Sequence, residues 1–136
     1  MKILVLLIFL SFTKFGLVDT LNYSWTKVAK GQTGHEFFVN MKNINENKNF
    51  IYFWQLINYK VIDEYGDLSA KIYIQGNCKS FKFKWIKVSY HKLLMAKDKV
   101  IAKKPASLVS GWQYPEIGST SYRVLDYVCS NKGLLL

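Results

Sequence analysis

The side chains able to do chemistry in this chain are few. Cys78 and Cys129 are its two cysteines, His35 and His91 its two histidines, and Asp63, Glu64 and Asp67 a tight carboxylate group. Neither histidine has a Cys, Asp or Glu at a metal-ligand spacing such as HxxxH or CxxC. The three carboxylates lack the D-x-D-x-D-G order and distal glutamate of a calcium loop, so they read as a solvated turn. Ser69, Ser107 and Ser110 sit outside any G-x-S-x-G elbow, and there is no Walker A loop or dinucleotide fingerprint. The residues therefore point to no cofactor, no metal and no enzyme activity. A small hydrolase or ligand carrier would need a pocket with convergent polar groups that the sequence does not announce.

The remaining chemistry is charge. Lysine and arginine number 19 against nine acids, a formal charge of +10. Such a field attracts polyanions. All the basic residues but Arg123 are lysines, point charges on flexible stems rather than the planar forks typical of dedicated anion sites. The many Asn and Ile residues fit an AT-rich coding bias that enriches lysine without a ligand. Lys82 and Lys84 alternate with Phe81, Phe83 and Trp85, and Lys87 and Lys92 follow. In a stacking platform cations and aromatics share an exposed face. Within one strand this alternation separates them, so the segment reads as a core face backed by a solvated one. Lys82, Lys84, Lys87 and Lys92 are the candidate polyanion contacts. With Lys97, Lys99, Lys103 and Lys104, they concentrate positive charge in one region of a sheet.

The N-terminus sets the compartment. Lys2 precedes an apolar run from Ile3 to Leu10 with a polar break at Ser11, the layout of a secretory signal peptide. The run is short of the ~20 apolar residues that span a bilayer. Cleavage is expected near Thr20, giving a leader over 1–20 and one domain over 21–136. No Ala-x-Ala marks the cut, so an uncleaved segment is the remaining route to envelope attachment. In an oxidising compartment two cysteines are expected to pair, and export removes intracellular nucleic acid as a partner.

Stepping along the mature chain, strand signals dominate. Glu36–Val39 is a short apolar run, and Asn43–Asn49 reads as a turn. Phe50–Ile62 is the strongest strand, with Ile51, Phe53, Ile57, Tyr59 and Val61 on one face and Tyr52, Trp54 and Leu56 on the other. Asp63–Asp67 turns into an alternating strand, Ala70–Cys78, in which Ala70, Ile72, Ile74 and Cys78 face one way. Phe81–His91 starts with Phe81, Phe83 and Trp85 in phase and continues with Ile86, Val88 and Tyr90 one step out. A period of two slips only when a residue is inserted, which predicts a β-bulge near Trp85–Ile86. Met95–Lys99 reads as a hairpin leading to a strand at Val100–Lys103. After an irregular stretch through Pro105 and Pro115 comes one helix. It is capped by Ser119, Thr120 or Ser121, has a stripe of Tyr122, Leu125 and Cys129 beside Val128, and ends at Gly133. Cys78 and Cys129 thus both point inward, so a bridge between strand and helix is geometrically sensible.

The order of these marks resembles the surface-adhesin protein E-like family of small exported bacterial proteins. The matching residues are Phe37-Phe38-Val39-Asn40, Phe53-Trp54-Gln55-Leu56-Ile57-Asn58-Tyr59, Ser69-Ala70-Lys71 and Asn77-Cys78. Tyr90 with Met95, then Trp112, Pro115–Ser119 and Val128-Cys129, complete the set, from about Trp25 to Cys129. The family's usual Asp before the strand cysteine is Asn77 here, and its Gly after the Met is absent at Ala96–Lys97. The resemblance implies an α+β fold: an antiparallel β-sheet of about six strands, with a C-terminal helix packed on one face and tied to it by Cys78–Cys129. It also implies a periplasmic, outer-membrane or secreted location, homodimerisation, and adhesin-like binding of matrix proteins or polyanionic glycans. The competing expectation is a structural or assembly component of the bacterial envelope that recruits a protein partner.

Overall fold

The computed structural model describes residues 24–133; the expected leader over 1–20 lies outside them. Six strands form one antiparallel sheet: β1 (Trp25–Lys30), β2 (Glu36–Asn40), β3 (Asn45–Asn47), β4 (Phe50–Asn58), β5 (Ser69–Asn77) and β6 (Lys82–His91). Their order is β1-β2-β4-β5-β6. β2 and β3 share one edge of β4, β2 along Gln55–Asn58 and β3 along Phe50–Tyr52. A one-turn helix, α1 (Ser107–Ser110), precedes the C-terminal helix α2 (Thr120–Asn131). The expected α+β architecture is the one observed, including the bridge between Cys78 and Cys129.

Register assigns each residue to a face. Ile51, Phe53, Gln55 and Ile57 of β4 stand opposite Gly76, Ile74, Ile72 and Ala70 of β5. These in turn stand opposite Phe83, Trp85, Val88 and Tyr90 of β6. This is the core face, and Val124, Leu125 and Val128 of α2 are buried in the same cluster. The helix stripe is thus centred on those three residues, with Tyr122 and Cys129 at its half-buried rim. Ser119 caps the helix by accepting the Tyr122 N–H at 3.1 Å. Gly133, at φ +82°, follows its last turn in the left-handed conformation.

The bulge falls where the phase slip put it: Tyr73 pairs with Lys87 and Ile74 with Trp85, leaving Ile86 as the extra residue. Its consequence is positional. Without the insertion Ile86 would share a face with Lys82 and Lys84; with it, Lys87 takes that place.

Other expectations need correction. The strand read as Phe50–Ile62 ends at Asn58, and Val61 and Ile62 are exposed rather than core. Beyond Asn58 the chain is closed into a loop by Asp63, whose side chain accepts the N–H groups of Tyr65 and Asp67; local side-chain bonding of this kind overrides β-propensity. No strand forms at Val100–Lys103. Lys103 alone makes a reciprocal bridge to Val88, and Gln113 makes another to Phe83. The segment between them straps the outer edge of β6, protecting an edge that would otherwise offer free backbone groups. β1 was not anticipated, and β3 lies inside what reads as a turn.

The hairpin expected at Met95–Lys99 is instead a tight turn with Met95 at φ +60° and Ala96 at φ +50°. It is pinned by side chains from two strands. Asn58 accepts the Met95 N–H at 2.9 Å, and Ser69 Oγ accepts the Ala96 N–H at 3.0 Å. Left-handed backbone costs an L-residue about 1–2 kcal/mol, a cost that glycine does not bear. Ala96→Gly should therefore raise stability by about 0.5–1 kcal/mol after the glycine's extra unfolded-state entropy is subtracted. Calorimetry would show this as a melting point higher by a few degrees; an unchanged or lower value would mean that the alanine methyl packs usefully.

Candidate functional site

The second face of the sheet, opposite α2, is built by the alternate residues. β4 contributes Phe50, Tyr52, Trp54, Leu56 and Asn58; β5 contributes Ser69, Lys71, Tyr73, Gln75 and Asn77. β6 contributes Lys82, Lys84, Lys87, Ser89 and His91. None of these positions carries a carboxylate. The aromatics form a run across the strands: Trp54 lies 4.9 Å from Tyr73, Tyr73 stacks at 6.1 Å on Tyr52, and Phe50 stacks at 5.9 Å on Trp112. Gln75 donates to the Tyr52 hydroxyl at 3.0 Å, fixing that ring.

Cations sit directly on this run. The Lys82 and Lys84 ammonium groups lie 4.7 and 4.8 Å from the centre of the Trp112 ring, and Lys71 lies 5.1 Å from that of Trp54. Each such contact contributes about 0.5–2 kcal/mol depending on desolvation. Trp112 arrives because the Gln113–Phe83 bridge places its neighbour against β6. Lysines and aromatics therefore do share a face. Within β6 they are separated, as its alternation requires; the aromatics that join the lysines come from β4, β5 and the strap.

Of the four lysines singled out from the sequence, Lys82, Lys84 and Lys87 stand together here. Lys92 does not join them. It lies beyond the end of β6, paired with Asp67 at 2.8 Å and bonded to the Tyr65 carbonyl, so its charge is largely offset locally. His35 accepts the Lys60 N–H at 3.1 Å and packs edge-on to Tyr59. Among the described residues no cluster of His, Cys, Asp and Glu is arranged to hold a metal.

One constellation was missed. Ser89 Oγ lies 2.8 Å from His91 Nε2, and His91 Nδ1 lies 3.0 Å from the Asp98 carbonyl and 3.3 Å from its carboxylate. These are distances of a nucleophile, base and acid. However, Ser89 and His91 are each 1% exposed, so the hydroxyl is not presented to a substrate. Burial disfavours the ionised Asp98 carboxyl, but the N–H groups of Lys92 and Leu93, bonded at 3.1 and 3.2 Å, hold it below the usual carboxylate range. The trio anchors the 93–98 turn to β6. Its spacing, Ser-x-His with Asp seven residues on, carries no signal in sequence.

A twisted antiparallel sheet with a disulfide-tethered helix on one face and a basic, aromatic second face defines a class of small α+β scaffold. The chain belongs to the surface-adhesin protein E family, whose model matches residues 25–130. Among solved structures, Haemophilus influenzae protein E is similar in two determinations, each with a TM-score of 0.59. One has 13% identity and covers 80% of this chain and 89% of that one; the other has 12% identity and covers 82% and 88%. Protein E from non-typeable Haemophilus influenzae, at 13% identity and a TM-score of 0.55, covers 86% and 82%. At such identities the likeness shows the fold. No curated protein matches the sequence. Family and fold together make the chain an adhesin-like binding protein, in a family of bacterial surface adhesins rather than enzymes.

Proposed function

We propose that this chain is a non-enzymatic, exported adhesin-like domain that holds an anionic extracellular macromolecule, a sulfated or acidic glycan, on its second sheet face. The observation that carries the reading is the run of second-face positions on β4, β5 and β6, none of them a carboxylate, in which Lys82, Lys84 and Lys87 stand beside Tyr52, Tyr73 and Trp112. Ammonium groups supply long-range attraction and contact with anionic groups. The rings supply flat apolar surface for sugar faces. Lys92, tied to Asp67, contributes at most to the general field.

The second reading, an envelope assembly component recruiting a protein, draws on the exposed apolar side chains Ile101, Leu108 and Ile117 on and beside the strap. Heparin separates the two. Changing Lys82, Lys84 and Lys87 together to Gln should lower heparin affinity at physiological salt about 10- to 100-fold. It should also flatten the dependence of log K on log salt by about two to three contacts. Changing Lys99, Lys103 and Lys104 to Gln removes the same charge elsewhere and should leave most of the affinity. Equal losses in the two triple variants would reduce the interaction to net charge and end the site proposal.

A further inference from the structure

On the core side of the sheet, between the first half of α2 and the strands, lies a cavity of about 120 Å³. Phe37, Phe53, Phe83 and Trp85 supply its aromatic walls, and Leu125 of α2 closes it from above. Among these apolar surfaces stands one amide. Gln55 occupies a core-face position at the centre of β4, between Val39 of β2 and Ile72 of β5, both fully buried. It is itself 7% exposed and lines the cavity. An amide in an apolar core is a poor choice for packing alone. Exposed Ser121 and half-buried Gln113, whose Nε2 is already given to the Val109 carbonyl, mark the mouth.

We infer that this cavity is a binding site for a single aromatic ring carrying one hydrogen-bonding group, with Gln55 as the polar contact at its floor. Volume sets the class: an apolar cavity of about 150 Å³ takes up benzene, so about 120 Å³ is close to the size of one six-membered ring and too small to enclose a fused polycycle. The lining sets the chemistry, since aromatic walls match a ring and the Gln55 amide can donate to or accept from a hydroxyl. The ring has two sources, a free phenol-like molecule or a tyrosine side chain on a peptide. The site lies across the sheet from Lys82, Lys84 and Lys87, so it stands or falls separately from the glycan reading.

The test is a titration of the oxidised, methyl-labelled protein, following Ile57, Ile74 and Leu125 by NMR. Phenol should shift these methyls and bind about 3- to 10-fold more tightly than benzene, the worth of one buried hydrogen bond. Gln55→Leu, which keeps the core filled, should bring the two ligands to equal affinity. Ser121→Trp, at an exposed helix position, should block the mouth and weaken both at least tenfold. N-acetyl-tyrosinamide in place of phenol tells the sources apart: tighter binding than phenol assigns the ring to a peptide, weaker binding to a free molecule. If phenol leaves the three methyls unmoved at millimolar concentration, or its preference over benzene survives Gln55→Leu, the proposal is overturned.

Discussion

Replacing Cys78 with serine should cost about 4 kcal/mol of stability and lower the melting temperature by roughly 20 °C. The bridge spans 51 residues of sequence, and a loop of that length gives this value in the chain-entropy treatment. A domain with ~5–15 kcal/mol in total loses a large share. The structure says where the loss should appear. α2 has 12 residues and buries only Val124, Leu125 and Val128. A helix of that length is marginal in water by itself, and three apolar side chains contribute about 1.5–3 kcal/mol each. The bridge leaves the sheet one residue after β5 and reaches the last turn of α2, so it holds the helix against the core face. Without it, amide exchange in α2 should accelerate before that in β4 and β5, and Cys129 should become open to a thiol reagent. Reduced wild-type protein should melt with the variant. A melting shift under about 3 °C would mean that the apolar face alone secures the helix.

What was legible in the sequence follows from how local each cause is. Alternation in Ala70–Cys78 and the helix stripe are patterns within one element, and they placed both cysteines on inward faces. The bulge was legible for the same reason, since a phase slip is written in the strand that carries it. Val61 and Ile62 misled because their β-branched side chains satisfy the strand pattern, while Asp63 two residues on closes the loop with its own carboxylate. Val100–Lys103 misled likewise: one reciprocal bridge to Val88 is all the pairing it finds. The proposed binding face was half legible. Its lysines were visible in β6, but Tyr52, Tyr73 and Trp112 reach them only through pairing of β4, β5 and the strap. Gln55 stood only as one mark of the family resemblance, because one amide in an apolar run looks like an interruption until the cavity gives it a place.

Gly76 was equally silent, and it carries the other large expected effect. It lies on the core face of β5, opposite Ile51 and Phe83. A Cβ there would stand 3.0 Å from Ile51 Cγ2 and 3.0 Å from Leu125 Cδ1, so these side chains would have to give by a few tenths of an ångström. The absence of a side chain is what lets α2 settle onto the sheet. Gly76→Val should therefore destabilise by about 2–3 kcal/mol, since overpacking a dense core outweighs the better strand propensity of valine. The bridge decides how much of this strain can relax, because Cys78 lies two residues along the same face and keeps α2 from lifting. Gly76→Ala exposes that dependence. With the disulfide intact it should cost about 1 kcal/mol. In a Cys78→Ser, Cys129→Ser background the helix can shift, and the same change should become neutral or favourable by about 0.5 kcal/mol, as removal of a strand glycine ordinarily is. Urea unfolding of the four proteins at low temperature gives the coupling directly. Effects that add to within about 0.5 kcal/mol would show that the contact at Gly76 and the bridge act independently, and that the helix is seated by its own packing.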